Sequence, residues 1–203
     1  MGAAITLANG RQPWTCLRND LVPARVLMLG PSEAGKTTIL HSIAASHPKK
    51  PVPELQRPAS RPNTQTLDLE QLRITSMDLR IASVILFRTL IPDMIRELSQ
   101  AVIYVVDSRM DNDAWTEMLH ELTTYVFAIQ ETSRSPLLVM ANFANEEGAL
   151  PINVIEKGVK DLILEHDRPT QPFKIHPVNA LNGDGVLDSL YWLVDAMNTA
   201  VGR

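Results

Sequence analysis

Eight consecutive residues, Gly30-Pro31-Ser32-Glu33-Ala34-Gly35-Lys36-Thr37, carry the most specific chemistry in the sequence. They follow the apolar run Val26-Leu27-Met28-Leu29 and precede Thr38-Ile39-Leu40, the strand–GxxxxGK(S/T)–helix order of a phosphate-binding loop. In such a loop, successive backbone N–H groups and the start of the next helix form a concave anion site. Gly30, Ser32, Glu33, Ala34, Gly35 and Thr38 are therefore candidate phosphate contacts. Lys36 is expected to reach the outer phosphates as a point charge, and the Thr37 hydroxyl to complete Mg²⁺ coordination.

The elements that must hold this loop can be read from the alternation of strand-like and helix-like runs, the pattern of a mostly parallel sheet covered on both faces. Strands are expected at 25–29, 66–72, 73–78, 101–106, 137–140 and 173–178. Helices are expected at 36–45, 114–131, 152–165 and 186–200, with an apolar turn and helix over 79–99. Residues 46–63 hold Pro48, Pro51, Pro53, Pro58 and Pro62 among Lys49, Lys50, Arg57 and Arg61, and read as a long mobile loop. Ligands of open α/β sheets bind beyond the carboxyl ends of the strands, so one edge should collect the polar candidates.

Composition bounds the rest. A chain of 203 residues allows one domain or at most two, and a net charge of −4 without long charge runs gives no nucleic-acid-binding surface. No apolar stretch reaches the roughly 18–20 residues of a membrane span. No secretory signal is recognisable at the N-terminus, and the chain reads as cytosolic. The lone cysteine, Cys16, excludes an internal disulfide framework. The five histidines lack ligand spacing and read as solvated or hydrogen-bonded side chains.

The order of motifs resembles the Arf-like small GTPases, the ADP-ribosylation-factor branch of the Ras superfamily. Gly30 to Leu40 matches that family's phosphate loop and first helix. Val105-Val106-Asp107-Ser108 resembles the end of its fourth strand. Leu137-Leu138-Val139-Met140-Ala141-Asn142 resembles the strand entering its base-recognition loop, and Gly183-Asp184-Gly185-Val186 with Leu190-Tyr191-Trp192-Leu193 its last loop and helix. The resemblance implies an α/β P-loop NTPase fold, a mostly parallel six-stranded sheet with helices on both faces over 25–203. It also implies bound GTP or GDP with Mg²⁺, and effector or regulator proteins engaging the switch segments.

The family's functional positions carry over unevenly. The resemblance places Thr64 at the switch threonine that senses Mg²⁺ and the γ-phosphate, with Asn63-Thr64 in place of the usual Pro-Thr. Asp78 falls at the start of the Asp-x-x-Gly motif, where it would hold Mg²⁺ through water. The glycine of that motif is Ile81, and the glutamine that orients the attacking water is Ala82. Intrinsic hydrolysis in intact relatives is only on the order of 10⁻⁴ per second, so hydrolysis here is expected to be slower still or absent, and no catalytic residue is assigned.

The family's Asn-Lys-x-Asp reads Asn142-Phe143-Ala144-Asn145. Asn142 can brace the phosphate loop. Phe143 can stack on a purine or be buried. Asn145 accepts one hydrogen bond where aspartate accepts two, which weakens guanine preference and opens xanthine as a competitor. Ala180, in Asn179-Ala180-Leu181, can offer its N–H to the purine 6-oxygen.

The start Met1-Gly2-Ala3-Ala4-Ile5-Thr6 matches the myristoylation pattern, with Gly2 as the acylated residue. One myristoyl chain binds membranes only marginally. Ile5, Leu7 and Trp14, the Lys49-Lys50 pair or acylated Cys16 would supply a second contact, although an unmodified thiol is the simpler reading of Cys16. Residues 1–24 thus form a membrane or partner segment. The apolar excess at Ile81, Val84, Ile85, Leu86 and Phe87 reads either as a buried helix or as an interface for a partner or a second copy.

Two functions follow: a divergent Arf-like GTP-binding protein, cytoplasmic and peripherally attached to the Golgi or another endomembrane, recruiting trafficking or organelle partners; or a pseudo-GTPase adaptor with no nucleotide cycle. A P-loop kinase is disfavoured, because no arginine-rich lid pattern is present.

Overall fold

Apolar runs without polar interruption demand burial on both faces, and the sheet is built that way. The computed structural model describes residues 13–17, 23–47, 55, 64–77 and 100–201. Its strands are β1 (Ala24–Leu29), β2 (Thr64–Asp68), β3 (Leu72–Met77), β4 (Ala101–Asp107), β5 (Leu137–Asn142) and β6 (Phe173–Val178). Its α-helices are α1 (Lys36–Ala45), α2 (Asn112–Leu122), α3 (Ile152–Glu165) and α4 (Val186–Val201). The six strands lie in the order β2-β3-β1-β4-β5-β6, with β2 antiparallel to β3 and every other pair parallel. This is the expected P-loop α/β architecture.

Side chains alternate across each strand, and two apolar clusters result. Val26, Met28, Ile103, Val105, Leu138 and Met140 join α1 and α4 on one face. Leu27, Leu29, Val102, Tyr104, Val106 and Val139 join α2 and α3 on the other. Tyr104 is fully buried, and its hydroxyl donates to Glu121 Oε2 at 2.9 Å. Burial and the neighbouring Glu121 carboxylate push its pKa well above the ordinary tyrosine value. Leu17 belongs to the α1–α4 cluster, and Asn198 Nδ2 of α4 donates to Cys16 O at 2.9 Å, so residues 13–17 pack on the last helix.

Several sequence-derived boundaries shift. The strand expected at 66–72 is split: β2 ends at Asp68, Leu69 N–H donates to Leu72 O, and Asp68 pairs with Arg73 across the hairpin. The turn Leu69-Glu70-Gln71 lacks the Gly, Pro or Asn that would announce it. The helix expected at 114–131 starts earlier, because Asp111 Oδ1 accepts from Ala114 N–H as an N-cap. It ends earlier too, passing into a π-turn at Thr123–Phe127 and a 3₁₀ turn at Gln130–Arg134.

Arg168, buried, accounts for that ending. Its guanidinium donates to Phe127 O at 2.6 Å, Ile129 O at 2.7 Å and Thr132 Oγ1 at 2.8 Å, collecting two carbonyls beyond the helix and a threonine hydroxyl. His166 stacks on Phe127, and its buried Nε2 lacks a hydrogen-bond partner among the described residues, an exception to the reading of the histidines. Nearly all of 46–63 and the whole of the apolar segment 79–99 lie outside the described residues, as do Gly2, Asp78, Ile81 and Ala82.

Candidate functional site

The parallel register brings one end of the sheet to a common level. Met28 faces Ser76, Leu29 faces Tyr104, Asp107 faces Asn142 and Asn142 faces Val178. Residues 30–37, Asp107, Asn142, Phe143 and 179–181 therefore all leave from the same carboxyl edge. Thr64 reaches it by running antiparallel, paired with Met77 at the end of β3. Thr64 is buried there. Of the residues assigned to nucleotide, metal or lipid, Asp78 and Gly2 fall outside the described chain.

The loop from Gly30 to Thr37 is shaped by two glycines. Gly30 has φ +142°, and a Cβ there would lie 2.4 Å from Val105 O. Gly35 has φ +97° and would place a Cβ 2.3 Å from Asn142 Nδ2. Any side chain would therefore push the loop off β4 or displace Asn142. Glu33 also takes a left-handed backbone, φ +68°, with its side chain exposed at the turn of the loop. Such a conformation is uncommon for a residue other than glycine.

Lys36 is buried, and its Nζ donates back to Gly30 O at 2.9 Å and Pro31 O at 2.6 Å. The ammonium is thereby folded over the loop it closes. Ser32 and Thr38 are half-buried, Ala34 is buried and Thr37 is exposed on the first turn of α1. A narrow loop floored by glycine, capped by an ammonium and opening onto a helix N-terminus fits a polyphosphate, and the exposed Thr37 hydroxyl beside it fits a divalent cation.

Asn142 is the joint of the site. It is fully buried, its Nδ2 donates to Ala34 O at 3.0 Å, and its Oδ1 accepts from Ala180 N–H at 3.1 Å. One side chain thus ties the phosphate loop to the last loop. The Ala180 N–H, read from sequence as a donor to a purine, is already engaged by Asn142. Beside Ala180, Leu181 is 79 % exposed, an apolar surface that sequence reasoning did not assign to the site. A cavity of about 590 Å³ opens along this loop and α1, with Thr38, His41, Ser42, Ala180, Leu181 and Asp184 among its lining.

The turn after Asn142 has a second feature absent from the sequence reading. Phe143 has φ +62°, is half-buried, and is not among the residues packed on either apolar cluster. The Arg109 guanidinium lies over its ring at 3.7 Å from the centroid. Arg109 is held in turn by both oxygens of Asp107, at 3.0 and 2.8 Å, and by Glu146 at 3.5 Å. Burial pushes the Asp107 carboxyl up, but hydrogen bonds from the Arg109 side chain and backbone N–H outweigh it and hold its pKa below the ordinary value. Asn145 lies exposed within the same turn, which Glu146 N–H closes onto Phe143 O at 3.0 Å. The Asp107-x-Arg109 spacing at a strand end was the available signal for this cluster.

Comparison with known proteins bears on the family and the fold. The model of the ADP-ribosylation factor family matches residues 16–197. ADP-ribosylation factor-like protein 1 of Saccharomyces cerevisiae is 30% identical over 175 residues, which span 85% of this chain and 87% of that relative. ADP-ribosylation factor 3 of Arabidopsis thaliana is 27% identical over 181 residues, 88% of this chain and 91% of the relative. Among solved structures, an ADP-ribosylation-factor-like GTP-binding protein of Encephalitozoon cuniculi, a small COPII coat GTPase in complex with GDP, superposes with a TM-score of 0.65. That match covers 89% of this chain and 82% of the other at 19% identity, a likeness of fold.

Proposed function

This chain belongs to the ADP-ribosylation factor family, and from that premise we propose that it binds guanine nucleotides while hydrolysing GTP very slowly or not at all. The observation that carries the proposal is the bridge made by Asn142, which joins Ala34 of the phosphate loop to Ala180 of the last loop. A joint of that kind sets the distance between a phosphate end and a base end. The loop amides and Lys36 bind the phosphates, with Thr37, Thr64 and Asp78 holding Mg²⁺. That ion neutralises phosphate charge when bound. Phe143 and Leu181 offer apolar surface to the base, and Asn145 supplies an edge acceptor.

Hydrolysis is weak because Ile81 and Ala82 stand where the family uses glycine and glutamine. Alanine neither donates nor accepts a hydrogen bond from its side chain, so nothing at that position orients an attacking water. The membrane role rests on the family and on the Gly2 motif: attachment through the N-terminus, in the cytoplasm, with recruitment of effector proteins through the switch segments. The same two substitutions favour a second reading, an adaptor with no nucleotide cycle whose apolar segment 79–99 engages a partner or a second copy.

Calorimetric titration of nucleotide-free protein with GTP, GDP, XTP and ATP, with and without Mg²⁺, tests the first reading. Tight, Mg²⁺-dependent heat with GTP and GDP is the expected result. Silence with every purine nucleotide leaves the adaptor.

A further inference from the structure

The base end of the site contains one charged cluster that the family reading leaves unused. Phe143 replaces a lysine of the family pattern, and a phenyl ring alone has no means of holding its angle at a half-exposed turn. Arg109 supplies it. The guanidinium covers one face of the ring at 3.7 Å, and its nitrogens are held by Asp107 Oδ1 and Oδ2 and by Glu146. Asp107 is itself anchored in β4, in register with Asn142 of β5. A continuous chain of contacts therefore runs from the centre of the sheet through Asp107 and Arg109 to the ring of Phe143. It returns through Asn142 to the phosphate loop.

We propose that Arg109 is a positioning residue of the nucleobase site: it holds the Phe143 ring as a fixed plate on whose other face a purine stacks. The assignment rests on the nucleotide-binding reading above and deepens it by naming what fixes the base. A stacking plate recognises ring area more than the hydrogen-bonding edge, because every base has a π-face. With Asn145 weak as an edge reader, ring stacking then carries most of the base affinity. Guanine, hypoxanthine and xanthine nucleotides are accordingly held by the same plate and separated little.

The test is a double-mutant cycle on nucleotide release. Intact protein loaded with GDP bearing a fluorophore on the ribose is chased with unlabelled GDP in Mg²⁺, for the parent, Phe143→Leu, Arg109→Met and the double variant. Phe143→Leu should release GDP about tenfold faster. Arg109→Met keeps an unbranched apolar side chain and removes the charge, and should release it about threefold faster. The double variant should be no faster than Phe143→Leu alone, because Arg109 acts only through the ring.

A spectroscopic readout accompanies the rates: the guanine H8 resonance of bound GDP should be shifted upfield by the ring, less so in Arg109→Met and not at all in Phe143→Leu. If Arg109→Met releases GDP like the parent while Phe143→Leu is faster, or if the two effects multiply, the positioning role is overturned and nucleotide binding stands. If the parent retains no purine nucleotide, the failure lies in the nucleotide reading and the plate falls with it.

Discussion

Replacing Asn142 by alanine removes both hydrogen bonds that join the phosphate loop to the last loop. Ala34 and Ala180 are both buried, so Ala34 O and Ala180 N–H would be left without partners in an apolar setting. Each such group costs about 1–3 kcal/mol, and partial relaxation of the loops puts the sum at about 2–4 kcal/mol. That is a large fraction of the roughly 5–15 kcal/mol that holds a domain together.

Gly35→Ala should cost a similar amount by a related route. Its φ of +97° is unfavourable for a side chain, and the new Cβ would sit 2.3 Å from Asn142 Nδ2, pushing the amide off Ala34 O. The two substitutions therefore share one contact, the Asn142–Ala34 hydrogen bond, and their losses should add only in part. Urea denaturation of nucleotide-free protein, followed by circular dichroism, should give a double variant roughly 1–2 kcal/mol more stable than the sum of the single losses implies. Additive losses, or an Asn142→Ala loss under about 0.5 kcal/mol, a surface-like value, would refute the idea that this amide is the joint.

Thr37→Ala should leave the denaturation midpoint unchanged or slightly higher, since the side chain is exposed and alanine is the better helix former. It should also abolish the Mg²⁺-dependent part of nucleotide affinity, and an equal loss with and without Mg²⁺ would count against Thr37 as a ligand. Arg168→Met should cost about 2–4 kcal/mol by denaturation, because Phe127 O and Ile129 O lose a charged donor; a neutral result would mean the π-turn closes without it. His176 has its pKa lowered, first by burial and then by Lys174, with Asp188 opposing. Its neutral form is thus favoured in the fold, and stability should be full above about pH 6.5, the ordinary histidine value, and fall as pH drops below it. His176→Gln should flatten that slope, and an unchanged profile would assign it elsewhere. Asn145→Asp should raise the preference for GTP over XTP by roughly one to two decades, and an unaltered ratio in competition binding would remove Asn145 from the base site.

What the sequence made legible was whatever depends on local pattern. The β1–loop–α1 unit, α3 and β6 follow from apolar runs, the GxxxxGK(S/T) spacing and clear punctuation, and α1, α3 and β6 have the expected limits. Where a tertiary partner decides the outcome, local pattern failed. The end of α2 is set by Arg168, which reaches residues about forty positions earlier in the chain. The role of Phe143 is decided by Arg109, which no helical or strand periodicity links to it. The β2–β3 turn is fixed by cross-strand pairing without a turn-forming residue. Asn142 could be read as a brace, but its engagement of the Ala180 N–H could not, because that requires the register of β5 against β6.

The residues of the loop do not argue for a ligand equally. Gly30 and Gly35 are required by packing alone, against Val105 O and Asn142 Nδ2, and a chain that bound nothing would need them to keep this fold. Asn142 says more, because the two loops it joins are the phosphate end and the base end of the site. Thr37 is different, because it is exposed on the first turn of α1, where alanine would serve the helix better. Glu33 pulls the other way: a carboxylate on a left-handed backbone at the turn of a phosphate loop costs conformational energy and places negative charge beside the anion site. The case for a bound polyphosphate therefore rests more on Thr37, and on the direction in which Lys36 folds over the loop, than on the glycines that make the motif recognisable. A ligand held by those two groups against the charge of Glu33 is one that Mg²⁺ should tighten strongly.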